Sequence, residues 1–369
     1  MKISFIRGAY LNNFEGQNYN LPLVGYSSLF PLDRTVSFPL IRLPSLADLQ
    51  RISLLNIPIK FIANRTLGDS QIMFGLEQRI GHSDIVHIAD PHYYYSFQAA
   101  KLRARGKIKK LICTWWETIP FNNEGTSAKK RIKEYTMNQV DLFITYSAKA
   151  KMCLEKEGVP SKKIHMIPLG IDIAIFHPQP ESKSKVFTIL FVGRLVEEKG
   201  ILDLYDAFKI ILKSESNIVL RIIGSGPLEN TLNSAIKKDG LLSKISIETM
   251  AYRDIPQAYQ QAHVLCVPSK TTETWEEQYG MVFIEAMASG LPIVSYNTGA
   301  ISEVVGEAGL LAQEGDVAGL ATMIIRIIRE RELGVKLGTI GRERAEDKFD
   351  AEKTAAKIKK VYMSLRGIL

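Results

Sequence analysis

Glu277 and Glu285 stand eight residues apart in the stretch EQYGMVFIEAMASGLPIVSYNTGAISE, residues 277–303. Tyr279-Gly280 reads as a turn that leads into a helix, MVFIEAMAS, with Gly290 as its stop. Glu277 then precedes a helix N-terminus and Glu285 lies about one turn inside it, so both can point toward a ligand docked at that end. The free N–H groups of Gly280, Met281 and Val282 would face the same place, and such groups favour negative charge. Two surface carboxylates near a helix start would show the same spacing.

A second group is FVGRLVEEKG, residues 191–200. A strand ends at Val192, Gly193 permits close backbone approach, and Arg194 and Lys199 bracket a helix start. Two cations there suit a diphosphate, with Arg bidentate and Lys as a point charge. A solvated Lys–Glu face would look similar.

The elements that must position these groups follow from the apolar pattern. VFTILFV (186–192), IVLRII (218–223), KISIET (244–249), VLCVP (264–268) and LPIVSY (291–296) are short apolar runs separated by helical stretches such as ILDLYDAFKIILK (201–213). That alternation means βαβ units and a parallel sheet covered on both faces. In the first half, KISFIR, IVHIA (85–89), KLICTW (110–115) and DLFITY (141–146) read as strands, and residues 11–80 resist parsing. GIDIAIFHPQPESKSK (170–185) reads as a linker. The expectation is two doubly wound α/β domains, 1–172 and 173–350, facing a central cleft. A last helix over 351–369 should pack back toward the first domain. Ligands of such sheets sit at the carboxyl ends of the strands.

Composition agrees. The 369 residues carry 47 Lys+Arg, 39 Asp+Glu and 46% hydrophobic residues, values that exclude disorder, collagen and coiled coil. No stretch reaches the roughly 18 apolar residues of a membrane-spanning helix, and the opening MKISFIRGAYLNNFEG reads as a strand rather than a signal peptide. Cys113, Cys153 and Cys266 have no paired spacing and read as buried free thiols. Residues 1–170 hold 14 Lys and 9 Arg against 6 Asp and 7 Glu, a net 23 − 13 = +10, which leaves 24 − 26 = −2 for the remainder. The basic half favours an anionic partner or surface.

GRLVEEKG, the GSGP turn (224–227), VPS (267–269), E-QYGMVFI-E with AMASGLP, and GAISE stand in one order. Together with IPLGIDIAIFHP (167–178) they resemble the family 4 retaining glycosyltransferases of GT-B fold. The resemblance is dense over 165–310, looser over 84–165 and weak over 11–80. It implies that Arg194 and Lys199 grip the diphosphate of a nucleotide-sugar donor and stabilise it as leaving group. It implies that Glu277 holds a hydroxyl of the donor sugar and Glu285 the ribose hydroxyls, while Phe283 and Ile284 are packing. The Gly224–Pro227 turn, with Gly224 and Gly226, and the Met250–Arg253 loop with Tyr252 would lie near the base. Tyr279, Gly280, Met281 and Val282 complete the donor side, and Gly16 corresponds to a glycine that lets backbone approach the phosphates.

Three positions depart from the family pattern. Two adjacent glycines are common at the first loop, and here the chain has Glu15-Gly16-Gln17. Many members keep a His after the strand corresponding to 110–115, and here Thr114-Trp115-Trp116-Glu117 stands instead. Glu117 could take an acceptor-facing role and Trp116 could stack on a sugar, or the aromatic pair anchors the strand end. His92, after Asp90-Pro91, is the cleft candidate of the preceding loop, and Tyr93 beside it either packs or lines the acceptor cleft. Finally, Ala300 follows Gly299 where the family has a second glycine, a swap that matters only if that position needs positive φ.

The implied reaction moves a hexosyl group, with retention, from a UDP- or GDP-linked sugar to a hydroxyl on a glycan, glycolipid or lipid-linked sugar. No Asp-x-Asp occurs; cations and a helix N-terminus can neutralise the leaving group, so no metal and no cofactor is expected. KLRARGKIKK (101–110) and AKKRIK (128–133) could meet an anionic membrane surface or be solvated basic helices; nothing points to nucleic acid. The resemblance implies a cytoplasmic protein, peripheral on the inner face of the cell membrane, as monomer or homodimer. An epimerase or hydrolase of the same fold, and a non-catalytic nucleotide-sugar-binding protein, are the competing functions.

Overall fold

The computed structural model describes residues 1–32, 36–52 and 58–365. It contains two compact units: residues 1–169 joined by the segment from Ala351 onward, and Gly170–Asp350.

The first unit is built on seven parallel strands: β1 (Ile3–Gly8), β2 (Leu23–Ser27), β3 (Leu40–Arg42), β4 (Ile85–Ala89), β5 (Lys110–Trp115), β6 (Leu142–Thr145) and β7 (Ile164–Met166). Their spatial order is β3-β2-β1-β4-β5-β6-β7, so the winding reverses between β1 and β4. Ile6, Val86, Ile88, Leu111, Cys113 and Phe143 form the centre of its core. Continuous apolar strands of this kind are what a sheet covered on both faces requires. The stretch 11–80 that resists parsing contributes β2, β3 and four helices of four to eight residues.

The last described helix, Ala351–Ser364, belongs to this unit. Its Thr354 hydroxyl donates to the Pro168 carbonyl, and its Tyr362 hydroxyl meets His87 Nδ1 at 2.5 Å. His87 Nε2 meets the Thr114 hydroxyl, which also receives a bond from Arg7, and Arg7 holds Glu15 in a buried ion pair at 2.6 Å. The Tyr146 hydroxyl donates to the same Glu15. Burial keeps His87 well below its ordinary pKa, and neighbouring Arg7 adds to the effect.

The second unit has six parallel strands: β8 (Phe187–Val192), β9 (Ile218–Ile223), β10 (Ile245–Glu248), β11 (Val264–Cys266), β12 (Ile293–Tyr296) and β13 (Gly309–Ala312). Their order is β10-β9-β8-β11-β12-β13, with the reversal between β8 and β11. Segment 170–185 is not a loose linker over its first half. Ile171 and Phe176 are buried, and Ile171 pairs with Asp350, its N–H donating to Phe349.

Among the described residues no helix is long and apolar enough to cross a membrane, and the three cysteines are buried and unpaired.

Candidate functional site

Ligands of doubly wound sheets bind at the carboxyl ends of the strands where the winding reverses. In the second unit that point lies between β8 and β11, and the sequence motifs converge on it. After β8 the chain makes a turn and a short 3₁₀ helix, Glu197–Lys199, before the helix Ile201–Leu212. Arg194 and Lys199 therefore both precede the helix rather than bracket its start. After β11 comes Ser269, then Glu277 and the helix Met281–Ala288.

Lys199 Nζ lies 2.5 Å from Glu277 Oε2 and 4.8 Å from the centre of the Trp275 ring. The Ser269 hydroxyl donates to the same Glu277 oxygen at 2.9 Å. Glu277 is 6% exposed, so its charge is balanced inside the site rather than by water. Its backbone is fixed as well: the Ala300 N–H donates to the Glu277 carbonyl, and a Cβ on Gly299 would stand 2.2 Å from that oxygen. Gly299 has φ +54°, whereas Ala300 has φ −94°. The first residue of that pair needs to be glycine and the second does not, so the alanine costs nothing here.

Glu285 has different partners. The Tyr252 and Tyr259 hydroxyls donate to its two carboxylate oxygens at 3.0 and 2.8 Å. Burial lifts its pKa to about 7 against the pull of those two hydrogen bonds. Tyr252 is half exposed, and Tyr259 is buried. Gly280 caps the helix in the left-handed region, and Met281 and Val282, half-buried, form its first turn. Phe283 and Ile284 are buried packing, as the sequence indicates. Tyr279 is buried with its ring edge-on to Phe349, and belongs to the core.

Gly224 and Gly226 serve a backbone contact. A Cβ on Gly224 would stand 1.8 Å from the Gly193 carbonyl oxygen and one on Gly226 2.5 Å from that of Leu195. The Leu195 N–H donates to the Ser225 carbonyl, so the GSGP turn holds the loop that carries Arg194. Arg194 itself is exposed and pairs loosely with Glu198 at 3.3 Å, apart from the Lys199–Glu277 pair.

The first unit's winding reverses between β1 and β4, and the aromatic candidates gather at those strand ends. The Tyr93 ring lies 4.8 Å from Tyr10 and 4.2 Å from His92, with His92 nearly buried and kept neutral by that burial. Trp116 is half-buried, its ring edge-on to Tyr146, and its backbone N–H donates to the Asp90 carboxylate. Asp90 is a residue that sequence reasoning missed. It sits at φ +42°, and desolvation raises its pKa to about 7. A non-glycine residue held there marks a position fixed by its surroundings.

Two expectations are corrected. Glu117 is 7% exposed, and its carboxylate accepts from the N–H groups of Thr118 and Ile119 and the side-chain amides of Asn122 and Asn123. It braces its own loop and has no oxygen left for an acceptor. Gly16 lies inside the short helix Asn13–Gly16, where an added Cβ would meet Val36 and Phe38 side chains at 3.3–3.4 Å. Its smallness serves packing, not approach to a phosphate. The basic runs are also largely spoken for: Lys101, Arg103, Lys109 and Lys110 pair with Glu77, Asp141 and Asp84, and buried Lys133 with Glu124 and Glu157. Ser269 and Tyr259, partners of the paired carboxylates, and Trp275, which faces Lys199, were not foreseen; only Ser269 had a signal, as the last residue of VPS.

Comparison with known proteins places the chain in a family. The profile of group 1 glycosyl transferases matches residues 172–344, and that of glycosyltransferase family 4 matches residues 42–175. A capsular polysaccharide biosynthesis glycosyltransferase of Staphylococcus aureus is 33% identical over 181 residues, 48% of this chain and 46% of that one. A GDP-mannose-dependent alpha-(1-6)-phosphatidylinositol monomannoside mannosyltransferase of Mycobacterium tuberculosis is 26% identical over 257 residues, 66% of this chain and 65% of that one. The matches thus span about half to two thirds of these relatives. Among solved structures, sucrose-phosphate synthase of Thermosynechococcus elongatus matches with a TM-score of 0.79 at 19% identity, over 100% of both chains. Anabaena HepE in complex with UDP matches with 0.76 at 18% identity, over 99% of this chain and 100% of that one. At such identities the common property is the fold, which is GT-B. With the two profile matches running on from one another between residues 42 and 344, the chain belongs to family 4 of the glycosyltransferases.

Proposed function

We propose that this chain is a retaining glycosyltransferase that moves a hexosyl group from a nucleotide-diphosphate sugar to a hydroxyl acceptor, with no metal ion. The observation that carries this reading is the Lys199–Glu277–Ser269 contact at the β8/β11 reversal. A buried carboxylate there keeps a cation ready for an anionic ligand. An arriving diphosphate takes Lys199, and Arg194 swings in from solvent as the second cation. Glu277, released from Lys199, accepts from a hydroxyl of the donor sugar, and Glu285 exchanges exposed Tyr252 for the ribose. The C1–O bond to phosphate breaks as the bond from C1 to the acceptor oxygen forms on the same face, and the acceptor proton passes to the departing phosphate. Lys199 and Arg194 stabilise the charge that develops on that phosphate, the role a fixed cation plays best in a water-poor site.

Acceptor binding is assigned to the Tyr10–Tyr93–His92 cluster with Trp116 and Asp90. Cytoplasmic location at the membrane face is supported by exposed Arg105, Lys107 and Arg131, cations of the basic runs without an acidic partner among the described residues. One relative is named for GDP-mannose and one matching structure holds UDP, so these two nucleotides come first in the test. Thermal shifts with UDP, GDP, ADP and their sugar conjugates, with and without a chelator, are expected to show one base stabilising strongly. A ligand at 100 times its Kd adds about 2.7 kcal/mol. The anomer formed is then read by NMR of the product. No shift with any nucleotide sugar, or an inverted product, overturns the reading.

A further inference from the structure

The second unit holds a cavity of about 840 Å³ that the donor chemistry does not use. It lies at the amino ends of the strands, opposite to the site described above: Phe187 opens β8, Ile218 opens β9, and His263 and Pro292 precede β11 and β12. One wall is a single face of the helix Arg331–Lys348, where Arg331, Gly334, Val335, Gly338, Thr339 and Arg342 recur at three- and four-residue steps. The volume is that of a pocket for one small organic molecule.

Its lining divides into an apolar body and a cationic end. Phe187, Ile218, Pro292, Ile327 and Val335 supply the body, with Val335 70% exposed. Lys183, Arg331 and His263 supply the end. His263 Nδ1 accepts from the Thr188 N–H, which leaves its Nε2 as the proton-bearing nitrogen and a donor. Burial and the nearby charges of Lys183 and Arg331 lower the His263 pKa to about 4. Lys183 is partly buried, and its ammonium donates to the Ala262 carbonyl. Burial lowers it to about 8. Arg331 forms no ion pair among the described residues. The acids of the lining are Glu215, held by Arg329 at 2.8 Å, and exposed Glu343 on the rim. Arg342 is committed, with three carbonyls and Glu346 around it. In the wall, the Ser289 hydroxyl is buried with no partner among the described residues.

From this geometry we infer that the cavity is a binding site for a small amphipathic oxyanion: an aliphatic or aromatic body with one carboxylate or phosphate head, the head on Lys183, His263 and Arg331. The charge pattern decides the class. Three donors of positive or neutral character meet there without a counter-ion, and a cationic or dipolar head would leave them unmatched. A purely apolar molecule would fill the body and gain nothing from the end.

The test uses the whole chain and three ten-carbon probes: decanoate, decyl phosphate and decanol. Calorimetry is expected to give one saturable site for decanoate, at least tenfold tighter than for decanol. Decyl phosphate binding more tightly than decanoate would identify a phosphate head as the natural one. Arg331→Gln, an exposed position that should not disturb folding, is expected to cut decanoate affinity at least fivefold and leave decanol unchanged. Lys183→Met should do the same. The His263 imidazole signals should titrate at higher pH with decanoate bound, and UDP or GDP should not displace it. No saturable binding of either anion, equal affinity for decanol, or displacement by the nucleotides would each overturn the inference.

Discussion

Lys199 and Glu277 are separated by 78 residues and meet at 2.5 Å across the β8/β11 reversal. Neither side chain is placed by its own strand. The loop after β8 delivers the lysine, and the Ala300 N–H and Gly299 hold the glutamate from the far side. The two motifs are therefore one device: each gives the other its counter-charge until a ligand separates them. Removing one partner leaves a buried charge exposed to its full desolvation cost.

Lys199→Met is expected to lower stability by about 3 kcal/mol because Glu277 is then left with Ser269 alone. Adding Glu277→Gln to that variant should restore most of the loss. Denaturant melts of the three chains check it, and a Lys199→Met protein as stable as the parent would show that the pair is loosely solvated.

Glu277→Ala is expected to lower turnover at least a hundredfold without weakening nucleotide affinity, since it is assigned to the sugar and its loss leaves Lys199 free for the diphosphate. Steady-state assays beside calorimetry with UDP and GDP separate the two effects. Near-normal transfer would remove Glu277 from the reacting centre.

Glu285 has its folded pKa raised from 4.5 to about 7 by burial. Between those values the folded chain keeps a proton that the unfolded chain releases, so this group's contribution favours folding at low pH and is lost as pH rises through about 7. Glu285→Gln stays neutral. It should be more stable than the parent at about pH 8, with the advantage gone near pH 5, while binding a nucleotide sugar more weakly. An identical pH profile for both chains would show that Glu285 ionises freely.

Glu117→Ala is expected to lower stability by about 3 kcal/mol, as four donors lose a charged acceptor. Turnover measured well below the melting temperature should stay near that of the parent. A collapse in turnover with an unchanged melt would return Glu117 to the acceptor site.

Tyr362→Phe removes the hydroxyl that meets His87 and leaves a buried ring nitrogen unmatched, a loss of about 1–3 kcal/mol. The Tm should fall by several degrees, with nucleotide affinity unchanged. An unaltered Tm would mean that the contact adds nothing to the docking of the last helix.

Strands β4, β5 and β9 begin and end where their apolar runs do, because strands covered on both faces read as near-continuous apolar runs. β2 and β3 left no such trace: LVGYS is interrupted by a glycine, and LIR has only three residues. Glu277, Glu285, Arg194 and Lys199 were singled out because their motifs are local. Their partners were not. Tyr259 reaches Glu285 only through packing of separate helices, and the Arg7–Glu15–Tyr146 group spans 139 residues. Glu117 failed for the opposite reason. Its type suited catalysis, and only the fold reveals that Asn122, Asn123 and two N–H groups had already claimed it.

The return of the helix Ala351–Ser364 to the first unit makes the second unit an insertion in the chain's order of synthesis. During translation, Gly170–Asp350 leaves the ribosome complete while the first sheet still lacks the helix that carries Tyr362. His87 then waits beside Thr114 with one nitrogen open, and the first unit closes only after the second has been made. A chain ending at residue 350 would therefore hold a complete second unit and a first unit without its last helix, and protease should cut the first unit sooner.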